Sequence, residues 1–430
     1  MKSKILYLGL ILLVLSCSRP FESKTNWKVF NSLYLLSEQQ SYFKLKTAYE
    51  LNKSELSTAH TLYFEAIINR VFNNPEASNQ AIENLLKLSE KPLADSLLNN
   101  IYQTKLNNHI NLYEYGLAAS TSEYLQQQYA DFNDSIEIEN LENELNMWRA
   151  LASVPKQSVI INSNCVIPMI KDKVGLFNVD VNFGDSTKNL IFDTGANFSA
   201  IRRSLVSKLG LKLLESDFYV TAATGLKVAS DLAVADEIEL GGIICKNVVF
   251  LVLNDEDLDF PQVDYYANGA IGFPVIEAFH EIRITKENEI IVPQEPQKYT
   301  FNNFALDGLM PVLACLYNND TLSFQFDTGA TNTTLYPLFF KENKTEIENN
   351  FEKETFTTGS AGGHFDFEGY VLNHLILQVA DSEASLDNVR LHIHKLGNKE
   401  SNFHGNFGQD YIKQFDEMVL SFKYSSVLFN

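Results

Sequence analysis

Leu190-Ile191-Phe192-Asp193-Thr194-Gly195-Ala196 recurs 134 positions later as Phe324-Gln325-Phe326-Asp327-Thr328-Gly329-Ala330. Each copy is a short apolar run that ends in Asp-Thr-Gly. One such segment would be an ordinary exit from a β-strand into a turn. Two matched copies present two carboxylates from like turns, which is what an acid/base pair for peptide hydrolysis needs.

The correspondence continues downstream. Gly269-Ala270-Ile271-Gly272 follows the first copy and Gly405-Asn406-Phe407-Gly408 the second. Asp193 lies 79 positions before Gly272, and Asp327 lies 81 before Gly408. Beyond these glycines Phe279 matches Phe415 and Glu281 matches Glu417, each at an offset of 136. Solenoid periods run about 20–50 residues, so a repeat this long is a duplicated structural unit.

Around this repeat the chain has 430 residues, 45% hydrophobic and 20% charged, enough for several cores. Its formal net charge of −20 argues against nucleic acid as a partner. Lys2 and Lys4 precede an apolar stretch, residues 5–15, too short to span a bilayer as a mature helix. It ends Val14-Leu15-Ser16-Cys17, which resembles the lipobox of bacterial lipoproteins. That resemblance implies a signal peptide over 1–17 and a lipidated (palmitate-bearing) Cys17. It implies anchorage in the cell envelope, with the outer membrane's periplasmic face favoured over the surface. Cys165, Cys245 and Cys315 are too few and too widely spaced for a disulfide framework or metal-ligand pattern, and read as strand thiols.

Residues 18–152 read as a helical, repeat-like domain. Apolar residues fall at helical spacing in Leu62, Phe64, Ile67, Ile68 and Phe72, and again in Ala81, Ile82, Leu85 and Leu86. Ser54 before Glu55, Asn74 before Pro75, and Lys91-Pro92 mark expected helix starts. Residues 106–129 are similar to a single tetratricopeptide unit. Stacked helices of that kind offer a concave face to a protein partner; a plain spacer is the other reading. From about residue 156 alternating β-type runs take over, among them residues 176–181 and 248–253. The proline-bearing stretch 292–297 reads as a linker, which divides the remainder into units 156–295 and 296–430.

The two halves of residues 156–430 resemble the retropepsin-like and pepsin-like aspartic peptidases. That resemblance implies an all-β bilobal acid-protease fold with tandem retropepsin-type lobes, Ala196 and Ala330 following Asp-Thr-Gly as in retropepsins. Asp193 and Asp327 would be the catalytic dyad, Thr194 and Thr328 would bond across the interface, and Gly269, Gly272, Gly405 and Gly408 would close the loops behind. Gly195 and Gly329 would let the backbones approach closely. Flap hairpins are expected at residues 221–225, with Thr224 and Gly225, and at residues 357–363, with Gly359, Gly362 and Gly363. The expected chemistry is endopeptidase hydrolysis by a water activated between the aspartates, with no cofactor and no metal. A membrane-tethered peptide-binding scaffold with an inactive protease-like fold is the alternative. His392-Ile393-His394 is a rival metal feature and the acidic run 255–259 a rival calcium feature; a solvent-facing strand and a solvated loop are the plainer readings.

Overall fold

The computed structural model describes residues 24–88, 93–221, 227–261, 264–360, 363–394 and 402–430. The signal stretch with Cys17, and Thr224, Gly225 and Gly362, lie outside the described residues.

The chain is helical first and β-rich afterwards. Helices α1 (Trp27–Glu38), α2 (Tyr42–Asn52), α3 (Thr58–Val71), α4 (Pro75–Leu86), α5 (Asp95–Asn111), α6 (Tyr115–Gln128) and α7 (Ser135–Leu151) follow one another along the chain. Asn74 caps α4 as expected, accepting the Ala77 N–H with Pro75 in the first turn. Asp134 and Glu137 form a reciprocal capping box on α7. The start expected at Ser54 is displaced: 53–55 is a single 3₁₀ turn, and Ser57 caps α3. Lys91-Pro92 lies outside the described residues, and α5 begins at Asp95.

Gln40, Asn73 and Tyr113 terminate α1, α3 and α5 with φ of 52°, 56° and 56°. This left-handed conformation costs a non-glycine residue energy, so each needs compensation. All three side chains bond to the β-rich region: Gln40 to Asp307, Asn73 to Glu277 and the Phe422 carbonyl, and Tyr113 to the Pro274 carbonyl. The helical array is thus fastened at its turns.

The β-rich region contains a nine-stranded and a ten-stranded sheet with a common centre. In the first, Ile243–Leu253 runs parallel to Ser199–Arg202, which is antiparallel to Gly269–Ile271. That strand lies parallel to Ser186–Phe192, itself antiparallel to Phe177–Phe183. In the second sheet Val389–His392, Thr334–Leu335, Gly405–Phe407, Asp320–Phe326 and Met310–Tyr317 repeat this order and these directions. A five-stranded sheet joins the units, pairing Glu281–Thr285 antiparallel with Glu417–Ser421. Arg283 pairs with Val419 at its centre. Those two positions are 136 apart, the offset of the repeat, so the copies meet about a local two-fold axis.

One apolar core spans both β units. A second joins the helices to Phe198, Phe218, Leu232 and Val249 of the first unit and to Ala305 and Val312 of the second. Two features differ from expectation. Val292 ends a strand paired with Cys165, so the linker begins after it. Helix Pro337–Asn350 buries little beyond Phe339 and Ile347, too few apolar residues to show a helical period.

Candidate active site

Both Asp-Thr-Gly turns leave the central strand of their sheet, and both are closed from behind by the returning glycine strand. Asp193 N–H donates to the Ile271 carbonyl and Asp327 N–H to the Phe407 carbonyl, both at 3.0 Å. Gly272 and Gly408 pass so close to Phe198 and Asn332 that a Cβ would lie 2.4 and 2.5 Å from their backbone carbonyl carbons. At Gly269 and Gly405 a Cβ would lie 2.1 Å from the Ala200 carbonyl oxygen and 2.3 Å from that of Thr334. Phe273 and Gln409 N–H groups donate to the carbonyls of Ala196 and Ala330, which fixes the turn ends.

The two turns lock together through their threonines. Thr194 N–H donates to Thr328 Oγ1 and Thr328 N–H to Thr194 Oγ1, both at 3.0 Å. Each hydroxyl then donates across the interface, Thr194 to the Phe326 carbonyl at 3.2 Å and Thr328 to the Phe192 carbonyl at 2.8 Å. Both threonines are fully buried. This reciprocal network sits within one chain and leaves no freedom in the spacing of the turns.

Asp193 and Asp327 are consequently brought together across the interface, each carboxyl set against the glycine of the opposite turn. Each glycine abuts the opposite carboxyl: a Cβ on Gly195 would lie 2.6 Å from Asp327 Cγ, and one on Gly329 2.5 Å from Asp193 Cγ. Backbone N–H groups of Gly195 and Ala196 donate to Asp193 Oδ1 at 2.8 and 3.1 Å, and that of Gly329 to Asp327 Oδ1 at 2.7 Å.

The two acids are not equivalent. Burial foremost, then the charge of Asp327, holds the Asp193 carboxyl well above the usual range. Asp327 is also raised by burial, but hydrogen bonds that favour its charged form, among them those from Asn406 and the Gly329 N–H, draw it back. Asn406 Nδ2 lies 3.3 Å from Asp327 Oδ2. Ala270 holds the matching place in the first copy and offers no donor. The arrangement favours a proton on Asp193 and a charge on Asp327. Asn406 was visible in the repeat alignment as the one polar residue opposite an alanine, but its reach to the carboxylate was not.

The dyad opens on a cavity of about 2330 Å³, walled by both β units and by the helices. Two hairpins flank it. The first pairs Lys212–Thr221 with Lys227–Leu240 as far as Thr221 opposite Lys227. The second pairs Lys353–Ser360 with Gly363–Leu372, setting Gly359 opposite His364 and Ser360 opposite Gly363.

The rival features lie elsewhere in character. His392 ends its strand buried and stacked on Phe367, at 3.7 Å between ring centroids, so the solvent-facing pair expected of His392 and His394 does not form. Burial and the neighbouring Arg390 lower its pKa to about 4. The acidic run folds as a 3₁₀ turn tied to the first unit, where Asp255 accepts the Ser204 N–H and Arg202 pairs with Asp255 and Asp259. Among the described residues no group of three His, Cys, Asp or Glu converges as a metal site, and no helix is long and apolar enough to cross a membrane. Cys165, Cys245 and Cys315 are buried free thiols.

Residues 179–273 match the family model described as aspartyl protease. Conglutin gamma, a basic 7S globulin from lupine seeds, is similar over 62% of this chain and 95% of its own, at 11% identity and a TM-score of 0.40. No curated protein matches. Residues 179–273 are thus an aspartyl protease-like domain.

Proposed function

We propose that the chain is an aspartic endopeptidase whose dyad, Asp193 and Asp327, forms between tandem lobes, and that its substrate is a peptide or protein segment in extended form. The observation that carries this reading is the reciprocal Thr194–Thr328 network, which sets two half-buried carboxyl groups against each other at the floor of a large cavity.

In this reading Asp327, kept ionised by Asn406, takes a proton from a water that attacks the scissile carbonyl. Asp193 gives its proton to the developing oxyanion. As the tetrahedral intermediate collapses, the proton held by Asp327 passes to the leaving amine and the C–N bond breaks. Asp193 recovers its proton from the gem-diol hydroxyl. No covalent intermediate forms and no cofactor takes part. The flanking hairpins shield the site from bulk water, which strengthens each of these interactions.

We also propose that the chain is lipid-anchored through Cys17 in a bacterial envelope, as a periplasm-facing lipoprotein. The support is the basic, apolar and Leu15-Ser16-Cys17 pattern. Metabolic labelling with a palmitate analogue, lost in Cys17→Ser, tests it.

The catalytic reading is tested by cleavage of oxidised insulin B chain across pH 3 to 8. Wild type, Asp193→Asn and Asp327→Asn are compared, each starting at Lys24. Turnover by wild type and loss in both single variants is the expected result. Peptide binding without turnover by wild type would make the chain a peptide-binding protein instead.

A further inference from the structure

The first hairpin is held by the helical region. Its outer strand, Lys212–Thr221, is the last of the nine-stranded sheet and would expose a bare edge. Helix α7 covers that edge. Asn143 Nδ2 donates to the Tyr219 carbonyl and Asn143 Oδ1 accepts the Tyr219 N–H, both at 2.9 Å. These are the two bonds a residue on a neighbouring strand would make. Asn146 Nδ2 donates to the Asp217 carbonyl at 2.9 Å. Glu139 accepts from the Tyr219 hydroxyl at 3.0 Å and from Lys227 Nζ at 2.6 Å, so both strands of the hairpin are gripped. Residues 139, 143 and 146 share one face of α7.

The second hairpin is bonded differently. Its outer strand, Lys353–Ser360, is likewise last in its sheet. Among the described residues the side-chain hydrogen bonds of this strand stay within its own unit: the Thr357 hydroxyl donates to Asp366, and Arg390 donates to the Thr357 carbonyl. Lys353, Glu354, Thr355 and Thr357 are exposed.

The helices also reach the cavity. Trp148 on α7 packs on Phe198, five residues beyond Asp193, at 6.2 Å between ring centroids. Asn99, Asn100, Gln103 and Asn140 line the same space as the dyad. Carboxamides both donate and accept, as peptide groups do. With the turns of α1, α3 and α5 fastened to both β units, this wall cannot swing away without breaking those bonds.

We propose that the helical region is a fixed wall of the peptide cleft and that Asn143 is a positioning residue, which holds the outer strand Lys212–Thr221 against α7 so that this side of the cleft stays in place when a peptide binds. The substrate class follows from the site as read above, an extended peptide, and the proposal rests on that reading. The helices then serve neither as a spacer nor only as a docking face for another protein.

Hydrogen exchange on the chain starting at Lys24 tests the asymmetry without any substrate. The Tyr219 amide is expected to exchange about tenfold or more slowly than those amides of residues 353–357 that point away from Gly363–Leu372, the effect of about one net hydrogen bond. Asn143→Leu should erase that protection while leaving 353–357 unchanged. Asn143→Asp, which keeps the acceptor for Tyr219 N–H but repels its carbonyl, should fall between. Kinetics on oxidised insulin B chain should then show KM raised about tenfold in Asn143→Leu with kcat nearly unchanged, because a loosened wall weakens ground and transition states alike. Equal protection of the two strands, or a Tyr219 amide still protected in Asn143→Leu, would overturn the proposal. A wild type that cuts no peptide would remove the peptidase reading, while the exchange data would still decide whether α7 holds the hairpin.

Discussion

Replacing Asn406 by alanine tests which aspartate carries the charge. Its side chain gives the dyad a single donor, to Asp327 Oδ2 at 3.3 Å, while its backbone stays paired to Gln325 and Thr334. Asn406→Ala should therefore leave the strand intact and copy Ala270 of the first unit. A hydrogen bond to a charged group contributes about 1.5–3 kcal/mol, and the long distance places this one near 1.5 kcal/mol. At about 1.4 kcal/mol per pKa unit the loss is worth roughly one unit. The sign follows from the bond's preference for the ionised form: without it Asp327 is protonated at higher pH. The acid limb of kcat/KM should move up by about one pH unit. The basic limb, where Asp193 loses its proton, should stay, because Asn406 is bonded to ionised Asp327 on both sides of that step. Tyr336 is the other titratable group against Asp327, and burial with that charge raises its hydroxyl, so it stays neutral throughout. The assay is kcat/KM against pH for wild type and Asn406→Ala on one peptide, with Tm measured at each pH. A shift of the basic limb alone would place the charge on Asp193 and refute the assignment.

Three further outcomes follow from the geometry. Thr328→Val should destabilise the fold by about 3 kcal/mol and depress activity, since it strands the buried Thr194 N–H and Phe192 carbonyl, read as a lower urea midpoint. Gly329→Ala puts a methyl group 2.5 Å from Asp193 Cγ and should lower kcat about a hundredfold while the chain remains folded by circular dichroism. Burial raises the Cys245 thiol to about 12 and Cys315 above its usual range, so neither should react with a disulfide reagent at pH 8 until the protein is unfolded.

Local chemistry carried much of the legible part. Asn74-Pro75 begins a helix because a side-chain cap and a fixed φ act within one turn. The repeat in the β region was legible because duplicated units keep the same residues at the same offsets, and the two sheets share one strand order. Helix Pro337–Asn350 escaped because its largely polar surface carries no apolar period. His392 was read as exposed because alternation on a strand does not say which face meets a core, and here Phe367 covers it.

The sequence by itself determined that two Asp-Thr-Gly turns exist, that they belong to copies of one unit, and that a helical segment precedes them. Each of these depends on neighbours a few residues apart or on matching offsets. Tertiary structure alone decided that Asn406 reaches Asp327 and that α7 grips the first hairpin, and it supplied the bonds by which Thr194 and Thr328, expected from the resemblance to meet, lock the turns across 134 positions. Those bonds join residues 76 to 134 positions apart. No local pattern encodes such pairings; they exist because packing of the apolar cores brings donors and acceptors into register and leaves them no water to bond instead.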